Sequence, residues 1–405
     1  MLSEEMVDKV VDKLVDRIRE GNEDILRQIG ENIRQLGTLS PEDAHRLGQT
    51  LKYGGSYKKI AKRLADITNM NIRDIYEIFE EIAKKDYDFA KKFYDYKGID
   101  YIPFNENKAL KRQIRAIANI TAKEYENISK TLAFATRVNG KLVYTDISRT
   151  YQRVIDKAVI SVTQGKETFD SVMKNSLKEL GQSGIRTVDF ESGKSMRLDS
   201  AVRMCLKAGI TNMHDDIQKQ LGKEFDSDGV EISVHSNPAP DHEDAQGKQF
   251  SNKEYAKLQR FGHATTYDDE KVDMHVHTKE GVSSSFRPIG DYNCYHYIFA
   301  IILGVSQPNY SKKQLQELKD KNHTGFDIDG KHYTMYQGTQ LQRKLEVEIR
   351  KAREEQIIAR GKEDKQWINE TQQRITQLMT KYRQLSRASK LPLHTERMTV
   401  HQFAT

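Results

Sequence analysis

The sequence predicts an α+β fold that is mainly α-helical, with a helical N-terminal region, a central α+β module of short strands and a long C-terminal helical arm. Three observations lead there. Apolar residues recur at three-four spacing through long polar stretches towards both ends of the chain, which is the pattern of amphipathic helices. The period changes to two in Val230-Glu231-Ile232-Ser233-Val234-His235, as in a half-buried strand. A hydrophobic fraction of 37% against 31% charged, with a mean hydropathy of −0.75, suits a chain that keeps much of itself in surface helices.

At 405 residues the chain is long enough for two or three domains. Its patterning divides it into a helical region over 1–103, a helical connecting region over 104–228, the central module over 229–334 and a basic helical arm over 335–405.

In the first region Val7, Val10, Val11, Leu14, Val15 and Ile18, then Ile25, Leu26, Ile29, Ile33 and Leu36, form one stripe that Gly21-Asn22 interrupts. Gly37 suits the end of that helix. Ser40-Pro41-Glu42-Asp43 supplies a cap, a first-position proline and first-turn acids for a helix over 41–52, closed by Gly54-Gly55. Ser56 opens a third helix, and after Asn69-Met70-Asn71 a fourth carries Ile72, Ile75, Ile78, Phe79 and Ile82. Two helices joined by a tight turn are the parts of a DNA-reading helix-turn-helix. Asp74, Glu77, Glu80 and Glu81 make the second a poor face for phosphate, so an ordinary helical hairpin is expected.

Residues 104–225 read as mostly helical, with breaks at Asn139-Gly140, Gly165, Gly181 to Gly184 and Gly193. Gly181-Gln182-Ser183-Gly184 is the clearest turn signal. Thr187 to Lys194 is short and alternating, a strand or hairpin edge. Helix resumes from Leu198 to Gln220 and carries Cys205, a small core residue.

The unusual chemistry lies between Glu231 and Pro308, where six of the 12 histidines, one of the 2 cysteines and four of the 7 prolines fall. Gly247 to Ser251 is a second candidate strand, Arg287-Pro288-Ile289-Gly290 turns into Cys294, and Tyr297 to Val305 is a dense apolar run. Beyond it, Asp329-Gly330 within Phe326 to Tyr333 marks a two-residue hairpin turn. The chain then reads as a long helical hairpin from about Met335 to Ala388, broken after Gly361.

The net charge of +6 is small, but residues Leu341 to Val400 hold 14 Lys or Arg against 8 Asp or Glu. Arg343, Lys344, Arg350, Lys351 and Arg353 are therefore candidate contacts for nucleic acid, against the competing account of a solvated face of alternating charge. Two cysteines exclude a disulfide scaffold and fit a reducing cytoplasm. The acidic start Met1-Leu2-Ser3-Glu4-Glu5 lacks a signal pattern, and no apolar run approaches the roughly 18 residues of a membrane helix. No Gly-rich phosphate loop is present, which leaves ATP-driven work to another protein.

Within the module His242, Cys294 and His296, with Asp241 or His235 as a fourth, are the donor types that zinc takes. Cys294 and His296 are two apart and share a face if that segment is extended, but His242 must come from a distant loop. The competing account has Asp241 and His242 pinning the loop by local hydrogen bonds beside a buried Cys294. Cys294 as nucleophile, His242 as base and Asp241 or Asn293 as orienter would be the parts of a thiol hydrolase, although no helix start follows Cys294 to activate it. His275-Val276-His277 among Asp268, Asp269, Glu270 and Asp273 is expected to be a polar surface loop.

Several pieces then occur in one order. They are Thr187-Val188-Asp189-Phe190 with Ser192-Gly193 and Ala201-Val202-Arg203-Met204; Pro240-Asp241-His242 leading to Gln246-Gly247-Lys248; Asn293-Cys294-Tyr295-His296; and Tyr336-Gln337 through Gln340 to Glu346 with Ile349-Arg350-Lys351. On these, spanning about 180–351, the chain resembles phage minor capsid proteins of the group related to Mu F-like head morphogenesis proteins. It departs from them at Ala239, where an Arg is frequent, and at Ala245, where an aromatic is common.

The resemblance implies a low-copy structural protein of a tailed-phage head, not an enzyme, made in the bacterial cytoplasm and residing in the virion. Its implied partners are the portal protein and the major capsid or scaffolding protein, during head assembly and genome packaging or ejection, with packaged DNA touched non-specifically. The alternatives that the residues themselves leave are a metal- or thiol-dependent hydrolase built on His242 and Cys294, and a non-specific DNA-binding protein.

Overall fold

The amphipathic stripes become helices and the short alternating pieces become strands, in a computed structural model that describes residues 3–36, 72–130, 132–138, 141–145, 169–188, 195–261, 264–267, 270–273, 288–290 and 294–400. The helices expected over 41–52 and from Ser56, the turn at Asn69-Met70-Asn71, the breaks at Gly165 and Gly193, and the His275-Val276-His277 loop lie outside the described residues. Among the described residues helices dominate, and the strands form one four-stranded sheet, one three-stranded sheet and two hairpins. The α+β, mainly helical class is what the sequence predicts. Among the described residues no helix is long and apolar enough to cross a membrane.

The chain divides into two units, each drawn from three separated segments: Met1–Asp12, Asn71–Lys123 and Met204–Gln340 in the first, and Lys13–Met70, Glu124–Arg203 and Leu341–Thr405 in the second.

In the first unit the helix Ile72–Phe89 and the parts of the helices Lys108–Lys130 and Leu198–Glu224 that belong to it bury Ile75, Phe79 and Ile82, Leu110, Ile114 and Ala118, and Leu206, Ile210 and Met213. The helix Ile72–Phe89 turns its acids to two ends. Glu77 and Glu81 pair with Arg73 and Lys85 at the surface, while Asp86 is buried against His214, Nδ1 to Oδ2 2.6 Å, with His214 Nε2 2.7 Å from the Ile298 carbonyl. Burial opposes a charged imidazole, but the Asp86 carboxylate outweighs it and holds His214 above its ordinary pKa. Cys205 is buried, its thiol directed to the Thr121 carbonyl at 3.6 Å.

Three short strands follow, in the spatial order Gln249–Ser251, Gly229–Ile232, Ile298–Ile301, all antiparallel. The apolar run beginning at Tyr297 supplies the third, with Phe299 and Ile301 buried. The hairpin Phe326–Ile328 and Lys331–Tyr333 pairs Ile328 with Lys331 around Asp329 and Gly330, whose φ angles of 51° and 72° are those of the tight turn read from the sequence.

The helix Glu4–Leu36, which belongs to the second unit from Lys13 onward, runs without a break through Gly21-Asn22, contrary to the expected interruption. The reason is tertiary. Asn22 is buried and spends its amide on Glu354, Nδ2 to Oε1 3.1 Å, and on the Ile185 N–H at 3.1 Å, so it does not compete for its own helix backbone. Near its end the helix meets the helix Met335–Gly361 so closely that a side chain on Gly30 would lie 2.5 Å from the Ile358 carbonyl oxygen, and one on Gly361 2.7 Å from that of Arg27.

The Asn139-Gly140 position, expected as a break between helices, instead separates two strands, Leu132–Val138 and Lys141–Thr145, with Val138 paired to Lys141. Val138, Val143, Tyr144 and Thr145 are strand formers, and their pattern is too short to outweigh helical signals on either side. These strands continue into Arg186–Val188 and Ser195–Arg197, the hairpin edge expected after Thr187. Gly181, expected in a turn, lies inside the helix Phe169–Ser183, which ends before Gly184 at φ 60°.

The helical hairpin of the C-terminal arm is present as Met335–Gly361 and Lys365–Ser389, with Asp364 capping the second helix by accepting the Trp367 N–H at 2.9 Å. Trp367 and Tyr382 are fully buried, each donating 2.8 Å to a glutamate, Glu355 and Glu346 respectively.

Candidate metal centre

Antiparallel pairing is what brings the chemistry of the first unit together. Ile232 at the end of the central strand faces Ile298 at the start of its neighbour, so the chain leaving one strand and the chain entering the other lie side by side. Ser233 extends that pairing, its N–H donating to the Tyr297 carbonyl and its hydroxyl accepting the Tyr297 N–H, both at 2.8 Å. His242 follows the first strand and Cys294 and His296 precede the second, which explains how residues some 50 positions apart meet.

The loop between is rigidly specified. Asn237 takes a left-handed φ of 56°, and Ala239 is extended before Pro240, which starts a single helical turn over Pro240–Glu243. Glu243 is buried and accepts Asn322 Nδ2 at 2.6 Å and His323 Nε2 at 2.8 Å, while Asp244 accepts Lys319 at 2.9 Å. These contacts anchor the turn to the helix Lys312–Thr324. Ala245 packs with Ile232, Leu258 and Ile289, with Cys294 against the same cluster. Gly247 then returns the chain with φ 68°, and a side chain there would strike Leu315 and Val234.

At the centre, Cys294 Sγ lies 3.6 Å from His242 Nδ1 and 3.5 Å from His296 Nδ1, and one ligand atom from each of the three residues lies within 4.8 Å of the other two. Both histidines are buried, at 1% and 2% exposure, and Cys294 is half-buried. Behind each ring stands an acceptor. Asp241 Oδ2 is 3.5 Å from His242 Nε2. Gln246 Oε1 is 3.1 Å from His296 Nε2, and the same oxygen accepts the His235 N–H at 2.9 Å, which orients the amide. The Gln246 oxygen, fixed as an acceptor by the His235 N–H, places the His296 ring proton on Nε2 and turns its Nδ1 lone pair toward the sulfur, while Asp241 faces the His242 ring from the side away from the sulfur.

Of the four expected ligands, then, His242, Cys294 and His296 converge, and Asp241 stands on the far side of the His242 ring. His235, the other candidate for a fourth position, is turned away to Glu4, Nδ1 to Oε2 2.7 Å, and stacks on Tyr295 at 5.1 Å. Gln246 was not singled out by sequence reasoning, although it stands four residues after His242 and donates its backbone N–H to the His242 carbonyl at 3.1 Å. Asn293, the other orienter in a thiol-hydrolase arrangement, lies outside the described residues. Cys294 itself does not sit at a helix start.

The basic residues of the arm are placed differently from one another. Arg343 and Lys344 are exposed. Lys351 pairs with Glu348 at 2.8 Å, and Arg353 donates to the Met398 carbonyl at 2.5 Å. Arg350 is buried, 2.6 Å from Asp199.

The family model described as phage minor capsid protein 2 matches residues 2–386. No curated protein and no solved structure matches the chain.

Proposed function

The chain belongs to the phage minor capsid protein 2 family, and from that premise we propose that this structural component of the phage head associates with the portal and with internal head proteins during head assembly and genome packaging or ejection. The observation that carries the reading is the span of the match, residues 2–386, which takes in both units. A relation to the Mu F-like group rests separately on the order of the motifs between about 180 and 351.

The major capsid or scaffolding protein would be the second partner, and packaged DNA a non-specific one. For DNA, Arg343 and Lys344 carry the reading, since they are exposed on the helix Met335–Gly361 whereas Arg350 is buried. A contact made by two cations is weak and salt-dependent, which suits a protein lying against a packaged genome better than one that seeks a DNA site.

The test is to isolate portal complexes from infected cells at physiological salt and look for the chain in them. Co-purification with the portal, retained after nuclease treatment, is the expected result. Recovery solely as free protein, or release by nuclease, would overturn the portal assignment.

A further inference from the structure

We propose that His242, Cys294 and His296 bind one zinc ion, through Nδ1, Sγ and Nδ1, and that this ion staples the chain leaving the central strand of the first unit to the chain entering its neighbour. The argument rests on four features of the cluster.

The first is distance. Zinc bonds of about 2.3 Å to sulfur and about 2.1 Å to nitrogen at a tetrahedral angle place S and N about 3.6 Å apart. The two S to N separations here are 3.6 and 3.5 Å. The second is donor type. A thiolate with two neutral imidazoles is a borderline-soft set that suits zinc and would not hold calcium or magnesium, which take oxygen.

The third is the surroundings of the ligands. A histidine that binds a metal through one nitrogen usually gives the other to a carboxylate or carbonyl, which sets the tautomer and the ring plane. Asp241 and Gln246 occupy those places behind His242 and His296, and the Gln246 oxygen is itself oriented by the His235 N–H. The fourth is charge. The two positive charges of zinc are balanced by the Cys294 thiolate and the Asp241 carboxylate, so a neutral group is buried where a bare cation would be costly.

Among the described residues no fourth His, Cys, Asp or Glu joins the cluster. The proposal is therefore a three-ligand site whose remaining tetrahedral position is taken by solvent. It is independent of any portal contact.

The experiment uses the full-length protein purified without chelator, with metal content measured by mass spectrometry, and the same protein loaded with cobalt for absorption spectroscopy. The expected result is about one zinc per chain, retained in Cys205→Ser and lost in Cys294→Ser. Cobalt should give a thiolate charge-transfer band in the wild type and in Cys205→Ser. That arm assigns the thiolate to Cys294 even if Cys294→Ser does not fold. Absence of zinc after incubation with equimolar zinc chloride, a cobalt form lacking the thiolate band, or zinc retained in a folded Cys294→Ser would each overturn the site.

Discussion

Each unit buries a polar cluster, and the two are built on opposite principles. In the second unit Asp199 accepts from Arg350 at 2.6 Å and Arg19 at 3.4 Å and lies 3.5 Å from Arg197, which also pairs with Glu354. Opposite charges face one another there, and the cluster is held together by what the chain supplies. In the first unit His242, Cys294 and His296 aim three electron-pair donors at one point, with acceptors behind the rings to hold them so. The thiol proton can serve only one of the two Nδ1 atoms at a time, whereas a cation at the centre would engage all three groups. Burial of polar groups is common to both clusters; the sign of what converges is what separates them.

The largest effect that would test this contrast is Asp199→Ala. It leaves buried guanidiniums around a missing carboxylate and should cost about 3–5 kcal/mol in a denaturant unfolding experiment; a cost under about 1 kcal/mol would show the network to be no stronger than a surface pair. Burial by itself would raise the Asp199 pKa, but Arg350, Arg197 and Arg19 more than reverse it and hold the carboxyl well below the usual range. Its stabilisation is therefore fully present above the unfolded value of about 3.9 and is lost as pH falls through the depressed folded one. The variant should show a flatter acid limb than the wild type.

Next in size is metal removal. With free zinc at 100 times its dissociation constant, the bound ion adds about 2.7 kcal/mol to folding. A chelator should lower the unfolding midpoint of the wild type and leave that of Cys294→Ser unmoved. If the wild type does not respond, the first cluster is as self-sufficient as the second and the contrast fails.

Gln246→Ala sharpens the comparison further, because it removes the acceptor behind His296 while leaving every ligand in place. Zinc affinity measured by competition with a chromophoric chelator should fall about 10- to 100-fold, whereas a merely structural glutamine would leave it unchanged. The smallest effect is a control in the same unit. Ser311 caps the helix Lys312–Thr324 in a capping box with Gln314, and Ser311→Ala should cost about 1 kcal/mol, equally with and without zinc.

How much of this was legible in the sequence depends on the range of the interactions involved. The Asp329-Gly330 hairpin was readable because two adjacent residues with left-handed φ make the turn by themselves. The C-terminal helical hairpin was readable because Leu345, Ile349, Trp367, Ile375 and Tyr382 repeat at helical spacing and are buried or half-buried at those positions. Asn22 misled, because the partners that absorb its side chain come from Ile185 and Glu354. Arg350 looked like one charge among many on a basic arm, and it is internal because Asp199, 151 positions away, reaches it. For the candidate metal centre the residue types were visible, but Asp241 could not be told from a ligand until the orientation of the His242 ring was known.

By itself the sequence determined the class of the fold, the long amphipathic helices near both ends, the strand at Gly229–Ile232, the hairpin at Phe326–Tyr333, and the order of motifs that resembles a phage head protein, since all of these rest on residue spacing and on local turn and cap chemistry. Tertiary structure alone decided which polar residues meet, which basic residues stay on the surface, and that two imidazoles and a thiol point at one place. Those outcomes depend on strand pairing and side-chain orientation between residues distant in the chain, and no local pattern encodes the direction in which a side chain is finally held.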